Sequence, residues 1–177
     1  MNIFYTNHDP RLAALDLADP HIVKMPSEAT QMIVQSLRDN GCPQELLPLA
    51  QSTGEPHKGG YPNHPATKWT MQTRNNFNWV LEWGLALCKE FKSRFGKEHY
   101  CYNGLMMIDS QKLRRYIKRG KISKPPRCFK GHDDLRDSKI WKCGVEANRE
   151  YYIRDKNRPT IGWNKDGAKP EWWRNDE

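Results

Sequence analysis

The sequence has no apolar run approaching the roughly 18 residues that a membrane-spanning helix needs, and its opening residues lack the pattern of an export signal. A soluble, cytoplasmic protein that does not meet the membrane is therefore expected. Its five cysteines (Cys42, Cys88, Cys101, Cys128 and Cys143) are odd in number and follow no framework spacing, so free thiols in a reducing compartment are expected. There is no Walker phosphate loop, no Gly-x-Gly-x-x-Gly turn and no His-Glu-x-x-His helix, which argues against nucleotide triphosphatase and zincin chemistry. A zinc site could be drawn from His99, Cys101, Cys128, His132 and Cys143, but the only close pairs are His99-x-Cys101 and Cys128-x3-His132, not the paired spacing of structural zinc. Neither a metal nor a cofactor is expected. Internal repeats, low-complexity tracts and dividing linkers are missing too, so residues 1–177 are expected to form one domain.

What is present is a core and an excess of positive charge. Apolar residues make up 37% of the chain and include seven Trp and seven Tyr, aromatics that a disordered chain would lack. The net charge of +8 comes from 29 Lys and Arg against 21 acids. That excess is concentrated between Lys112 and Lys130, where Lys112, Arg114, Arg115, Lys118, Arg119, Lys121, Lys124, Arg127 and Lys130 stand without one acid among them. A solvated helix face normally interleaves both signs, so this run reads as a contact surface for nucleic acid, with DNA the favoured polyanion.

The pattern of the chain predicts a mainly α, compact helical bundle with a long central helix and a loop-rich C-terminal part. Ile3, Phe4 and Tyr5 open it as a strand or a buried start. Asp9-Pro10 starts a short helix over 10–18, and Asp19-Pro20 stops it. From His21 to Arg38, Ile22, Met25, Ala29, Met32 and Ile33 recur at helical spacing, with Pro26 as a kink or restart. His64-Pro65 opens the long helix, Trp69, Thr73, Phe77, Val80, Gly84, Leu87, Phe91 and Phe95 give its core stripe, and Gly96 ends it. The density of Gln72, Arg74, Asn75, Asn76 and Asn78 in its first half implies that these groups either knit helices together or line a site. Ser110 is expected to cap a basic helix ending at Gly120, and Glu146 to Lys156 forms the last helix. The tail carries Pro159, Trp163, Pro170, Trp172 and Trp173, which either pack back on the body or stack on bases.

One residue out of step with the buried stripe of the His21–Arg38 segment, His21, Lys24, Glu28 and Gln31 form a polar stripe at the edge of a groove. An ordinary amphipathic helix with a polar flank gives the same spacing. The mixture of imidazole, amine and carboxylate favours chemistry, with Glu28 as general acid or base and a nearby amine as nucleophile on a sugar carbon. Glu28, Lys24 and His21 are the candidate catalytic residues, and Gln31, His64, Trp69 and Asn76 are the candidate pocket residues.

The stretch from Leu17-Ala18-Asp19-Pro20-His21 through Glu28 to Arg38 resembles the first helix of the endonuclease V-type pyrimidine-dimer DNA glycosylases of phages. Glu28 falls at that family's catalytic glutamate, and Pro26 lies close to its kink proline. The region from Gly60 to Gly96, with a His before a long helix and an Arg94-Phe95-Gly96 stop, is similar as well. His21-x-x-Lys24-Met25, His64-Pro65-x-x-x-Trp69 and Pro170-Glu171-Trp172 also resemble a widespread group of phage proteins. The resemblance implies an all-helical fold, DNA as substrate, and cleavage of an N-glycosidic bond with strand nicking. It also implies an N-terminal α-amine nucleophile, in that family the amine of a threonine freed by removal of the initiator Met. Residue 2 here is Asn2, whose bulk predicts that Met1 stays and carries the amine, with Lys24 as an internal alternative. Ser27 and Gln31 stand where the family has arginines. The expected function is thus a DNA glycosylase or glycosylase/lyase acting on a damaged or modified base. The alternatives are a non-catalytic nucleic-acid-binding protein and a small enzyme of nucleotide or base modification.

Overall fold

A computed structural model describes residues 1–156, 161–165 and 167–174; Pro159 lies outside them. The protein is mainly helical, and among the described residues the only β pairing is an isolated bridge between Leu49 and Pro56. No helix of the described residues is long and apolar enough to cross a membrane.

Asp9 caps helix α1 (Pro10–Leu15) by accepting the Arg11 N–H at 2.8 Å, with Pro10 in the first turn. Asp19-Pro20 does not stop this helix but opens the next one, α2 (Asp19–Asp39), because a proline in the first turn has no N–H that the helix would use. Helix α2 runs continuously through Pro26 and buries Ile22, Met25, Ala29, Met32 and Ile33.

The expected long helix is two. Helix α3 (Pro65–Gln72) ends at Thr73, whose backbone is extended and whose hydroxyl accepts the Asn76 N–H at 3.1 Å to cap α4 (Arg74–Phe95). A β-branched residue whose oxygen can serve as a cap favours this break over a continuous helix. Gly96 closes α4 with φ of +68°, a left-handed geometry that glycine adopts without penalty. Helix α4 is the centre of the fold, burying Phe77, Val80, Trp83 and Leu87. At Gly84 it approaches α2 so closely that a Cβ would lie 3.2 Å from that of Ala29 and 3.1 Å from Leu105. Leu105 lies on α5 (Tyr102–Ser110).

The expected basic helix does not form. Ser110 ends α5, a 3₁₀ turn covers Leu113–Tyr116, and the chain then runs without regular structure to Lys130. Consecutive cations with two prolines give a helix no stabilising charge pairs, and Pro125 and Pro126 remove N–H groups. A short turn, α6 (Asp133–Arg136), precedes α7 (Gly144–Lys156), which starts two residues before the expected Glu146. The tail packs back on the body: Trp173 is buried, its ring 5.7 Å from that of Tyr152 and 5.0 Å from that of Trp163. The tail also caps α2, since Gly162 O accepts the Asp19 N–H at 2.9 Å and Asp19 Oδ2 accepts the Asn164 N–H at 2.7 Å.

Two polar devices align these parts. The first is Arg94, whose side chain is fully buried near the end of α4. It donates to the Leu17 carbonyl at 2.8 Å and the Leu15 carbonyl at 3.3 Å, and pairs with Asp19 at 3.0 Å and Glu90 at 2.7 Å. The second supports the extended N-terminal segment, where Ile3, Phe4 and Tyr5 are buried without a sheet partner. Buried backbone groups need partners, and α7 supplies them. Asn148 Oδ1 accepts the Tyr5 N–H at 3.2 Å, and Arg149 Nε donates to the Thr6 carbonyl at 2.8 Å. Removing one member of a buried charged network leaves the others uncompensated. Arg94→Met is therefore expected to lower unfolding free energy by about 3 kcal/mol in urea titrations followed by circular dichroism.

Candidate active site

Glu28 is held on the second turn-and-a-half of α2, on the side where the N-terminal segment lies over the helix. It is 8% exposed. Its Oε2 accepts the Asn2 backbone N–H at 2.8 Å, and its Oε1 lies 3.0 Å from Lys24 Nζ and 3.8 Å from the Met1 amine. A buried carboxylate needs charged or hydrogen-bonding partners, and this one has three nitrogens around it. Lys24, one turn earlier on α2, is 67% exposed along its side chain, whereas Met1 is anchored by Thr67 Oγ1, which donates to its Sδ at 3.3 Å.

His21 lies one turn further back. Tyr152 Oη accepts the Ala18 N–H at 3.0 Å and shares a hydrogen bond with His21 Nδ1, 2.6 Å away. Burial holds the Tyr152 hydroxyl well above the ordinary tyrosine range, so its proton stays. Burial, with Lys156 and Lys24 nearby, pushes His21 down to about 4 despite the opposing charge of Asp155. At neutral pH the imidazole is thus neutral.

His64 comes from the other side as the N-cap of α3, accepting the Ala66 N–H at 3.2 Å through Nδ1. Burial lowers it too, the N-terminal amine lowers it further, and Glu28 opposes them. The far wall is made by Cys128 and Lys130 at the end of the basic segment and by Tyr151 and Lys156 on α7. Together these groups enclose a cavity of about 320 Å³ between Met1, Glu28 and α7. A wider groove of about 500 Å³ between α1 and α4 carries Leu15, Leu85 and Ala86 with the largely exposed pair Arg11–Glu82, 3.9 Å apart. Convergent, half-buried ionisable groups distinguish the smaller cavity from this groove.

Three candidate pocket residues lie elsewhere. Gln31 sits under the 59–60 turn, where a Cβ on Gly60 would lie 3.5 Å from it. Trp69 and Asn76 are buried and hold the basic segment. Asn76 Nδ2 donates to the Trp69 carbonyl and to Ser123 Oγ, each at 2.8 Å, and Asn76 Oδ1 accepts the Ser123 N–H at 2.9 Å. Trp69 Nε1 donates to the Ser123 carbonyl at 3.3 Å, and Gln72 accepts the Ser123 hydroxyl at 3.0 Å. Arg74 donates from its backbone to the Lys118 carbonyl at 2.7 Å and from its side chain to the carbonyls of Arg115 and Ile117. The polar first half of the helix pair thus serves as the tether of an otherwise unpaired backbone.

That tether leaves Lys118, Arg119, Lys121 and Lys124 exposed, their side chains with no hydrogen bond or ion pair among the described residues. Lys112 and Arg115 are exposed as well, Arg115 lying over the Tyr116 ring at 5.0 Å. Arg114 pairs with Asp109 at 3.1 Å. Arg127 stands apart from the row: its guanidinium donates to the carbonyls of Leu135 and Trp141 and so closes the loop after Lys130. Among the described residues no three His, Cys, Asp or Glu gather as metal ligands.

A family model for pyrimidine dimer DNA glycosylases matches residues 1–103, more than half of the chain. The chain belongs to this family. No curated protein and no solved structure matches it. The glycosylase match takes in the N-terminal segment, α2, α3 and α4, hence Met1, Glu28 and His64, and stops before the basic segment. The family's activity is of the DNA glycosylase type, and its substrate is DNA. Of the residues singled out from the sequence, Glu28, Lys24, His21 and His64 line this cavity. Tyr151, Cys128 and Lys156 line it too, and Tyr152 supports His21, but none carries a local signal because tertiary packing brings them there.

The depressed His21 gives a pH dependence with a definite sign. A base whose folded value is lowered contributes stability that is full above its unfolded value of about 6.5 and is lost as pH falls toward 4. Urea midpoints are therefore expected to fall between pH 6.5 and 4, and His21→Asn is expected to flatten that part of the profile. An unchanged slope in the variant would assign the acid sensitivity to other groups.

Proposed function

We propose that this protein is a DNA glycosylase with lyase character that removes a damaged or modified base, with Glu28 and the amine at Met1 as its catalytic pair. The observation that carries this reading is the N-terminal backbone folded over a buried carboxylate, with the Asn2 N–H at 2.8 Å and the Met1 amine at 3.8 Å. Asn2 in place of a small second residue keeps Met1 and moves the amine by one residue, and the fold still leaves that amine within the cavity.

The chemistry follows from those groups. The neutral amine attacks C1′ of the deoxyribose while the C1′–N bond breaks, and the base leaves with the electron pair of that bond and takes a proton from water. Glu28 faces the positive charge that develops on the sugar, takes a proton from the attached nitrogen and passes it to O4′ as the C1′–O4′ bond breaks, which leaves an open-chain protonated imine. Loss of a C2′ proton next expels the 3′ oxygen and nicks the strand. Lys24 holds Glu28 from the solvent side, and the neutral His21 offers its Nε2 proton to an oxygen of the substrate. Lys118, Arg119, Lys121 and Lys124 contact phosphates, which is why the main chain that bears them is fixed.

Borohydride reduction in the presence of abasic-site DNA traps the imine as a covalent adduct. Wild type is expected to trap, Glu28→Gln to lose at least about a hundredfold in rate, and Lys24→Ala to keep the adduct. Peptide mapping of the adduct is expected to place it on the N-terminal peptide. An adduct on Lys24 would move the nucleophile, and salt-sensitive binding without any adduct would leave a non-catalytic DNA-binding protein.

A further inference from the structure

The glycosylase match ends at residue 103, yet the cavity facing Glu28 is closed by residues 128–156. This second wall has a consistent charge. Lys130 stands at its rim, exposed, as the last cation of the basic segment, and Lys156 lines it from the end of α7. Lys156 is not a free surface lysine: its side chain is 23% exposed and paired with Asp155 beside it. Asp155 has further neighbours, since His132 Nε2 lies 4.0 Å away and the Tyr151 hydroxyl helps to hold its carboxyl below the ordinary range. Tyr151 is set in turn by stacking on Phe129, with ring centres 4.8 Å apart. The ammonium thus ends a chain of contacts that holds it toward the cavity, close enough for its charge to disfavour protonation of His21.

Counting charges around the cavity, Lys24, Lys130, Lys156 and the Met1 amine face Glu28 and Asp155. Among the described residues Lys24 and the Met1 amine share Glu28, Lys156 pairs with Asp155 and Lys130 has no acidic partner, so the cavity keeps an excess of positive charge. Cations kept in a partly enclosed site are matched to an anion that arrives with the ligand. The free row Lys118, Arg119, Lys121 and Lys124 leads along the chain to this wall.

We propose that Lys130 and Lys156 form a phosphodiester subsite on the wall opposite Glu28, which clamps the backbone phosphate next to the target nucleotide. Asp155 and Tyr151 are its positioning residues. The inference rests on the glycosylase reading above, but it concerns binding rather than bond breaking. It makes the C-terminal third of the chain, rather than the part shared with the family, the element that fixes the strand in the site.

The test uses the full chain and a labelled DNA duplex bearing a tetrahydrofuran abasic analogue, which binds but cannot form an imine. Lys156→Gln and Lys130→Gln are each expected to weaken binding by about three- to tenfold, and to lower the slope of log affinity against log salt by about one. Lys156→Arg is expected to restore most of the loss, and Lys89→Gln, on an exposed part of α4, to change neither quantity. With abasic DNA that can react, Lys156→Gln is expected to raise the half-saturating DNA concentration while the trapping rate at saturation stays within about twofold. A folded Lys156→Gln protein with wild-type affinity and salt slope would overturn the subsite. If wild type forms no adduct but the lysine variants lose affinity as described, the subsite stands and the catalytic reading fails.

Discussion

The buried guanidinium of Arg94 is the contact on which the alignment of the bundle turns. One side chain at the end of α4 satisfies carbonyls at the end of α1 and pairs with the first residue of α2, while Glu90 holds it on its own helix. The N-terminus of α2 has no side-chain cap of its own, so its direction relative to α4 is set by this ion pair and by the tail that covers it. Everything placed by α2 follows, including the height at which Glu28 meets the first residues of the chain. The close approach at Gly84 then fixes the spacing that Arg94 has aligned.

The site is assembled from three stretches far apart in sequence. The N-terminal segment brings an amine and an N–H, α2 brings the carboxylate and Lys24, and the end of the basic segment with α7 brings the far wall. None of these stretches holds its position by regular hydrogen bonding to another. Side chains do it instead: Asn148 and Arg149 on the N-terminal backbone, Tyr152 on Ala18 and His21, and the Asn76 amide on Ser123. This economy explains why so many amides and aromatics with polar tips are buried in a small protein.

Much of the first half could be read in the sequence, because helices declare themselves through periodicity. The apolar stripe of α2, the polar stripe beside it and the cap at Gly96 are local signals, and Glu28 could be singled out from them. The break at Thr73 was not legible, since the apolar stripe continues across it and only the capping geometry of one hydroxyl divides the two helices. The basic segment was read correctly in charge and wrongly in shape. Its extended course depends on partners in α3 and α4 that no window of sequence contains. Lys156 and Tyr151 were legible as helix residues only; their place in the cavity depends on how α7 docks against the N-terminal segment.

The knot at Ser123 has a consequence for how the surface can change. It grips the main chain through one small residue, and Arg74 grips carbonyls rather than side chains. The neighbouring lysines and arginine therefore contribute little to folding, and the fold places little demand on their identity. Such a scaffold separates the writing of a charge pattern from the cost of keeping the protein folded. Substitutions at 118, 119, 121 and 124 can rewrite the charge of this surface while the helices beneath remain as they are.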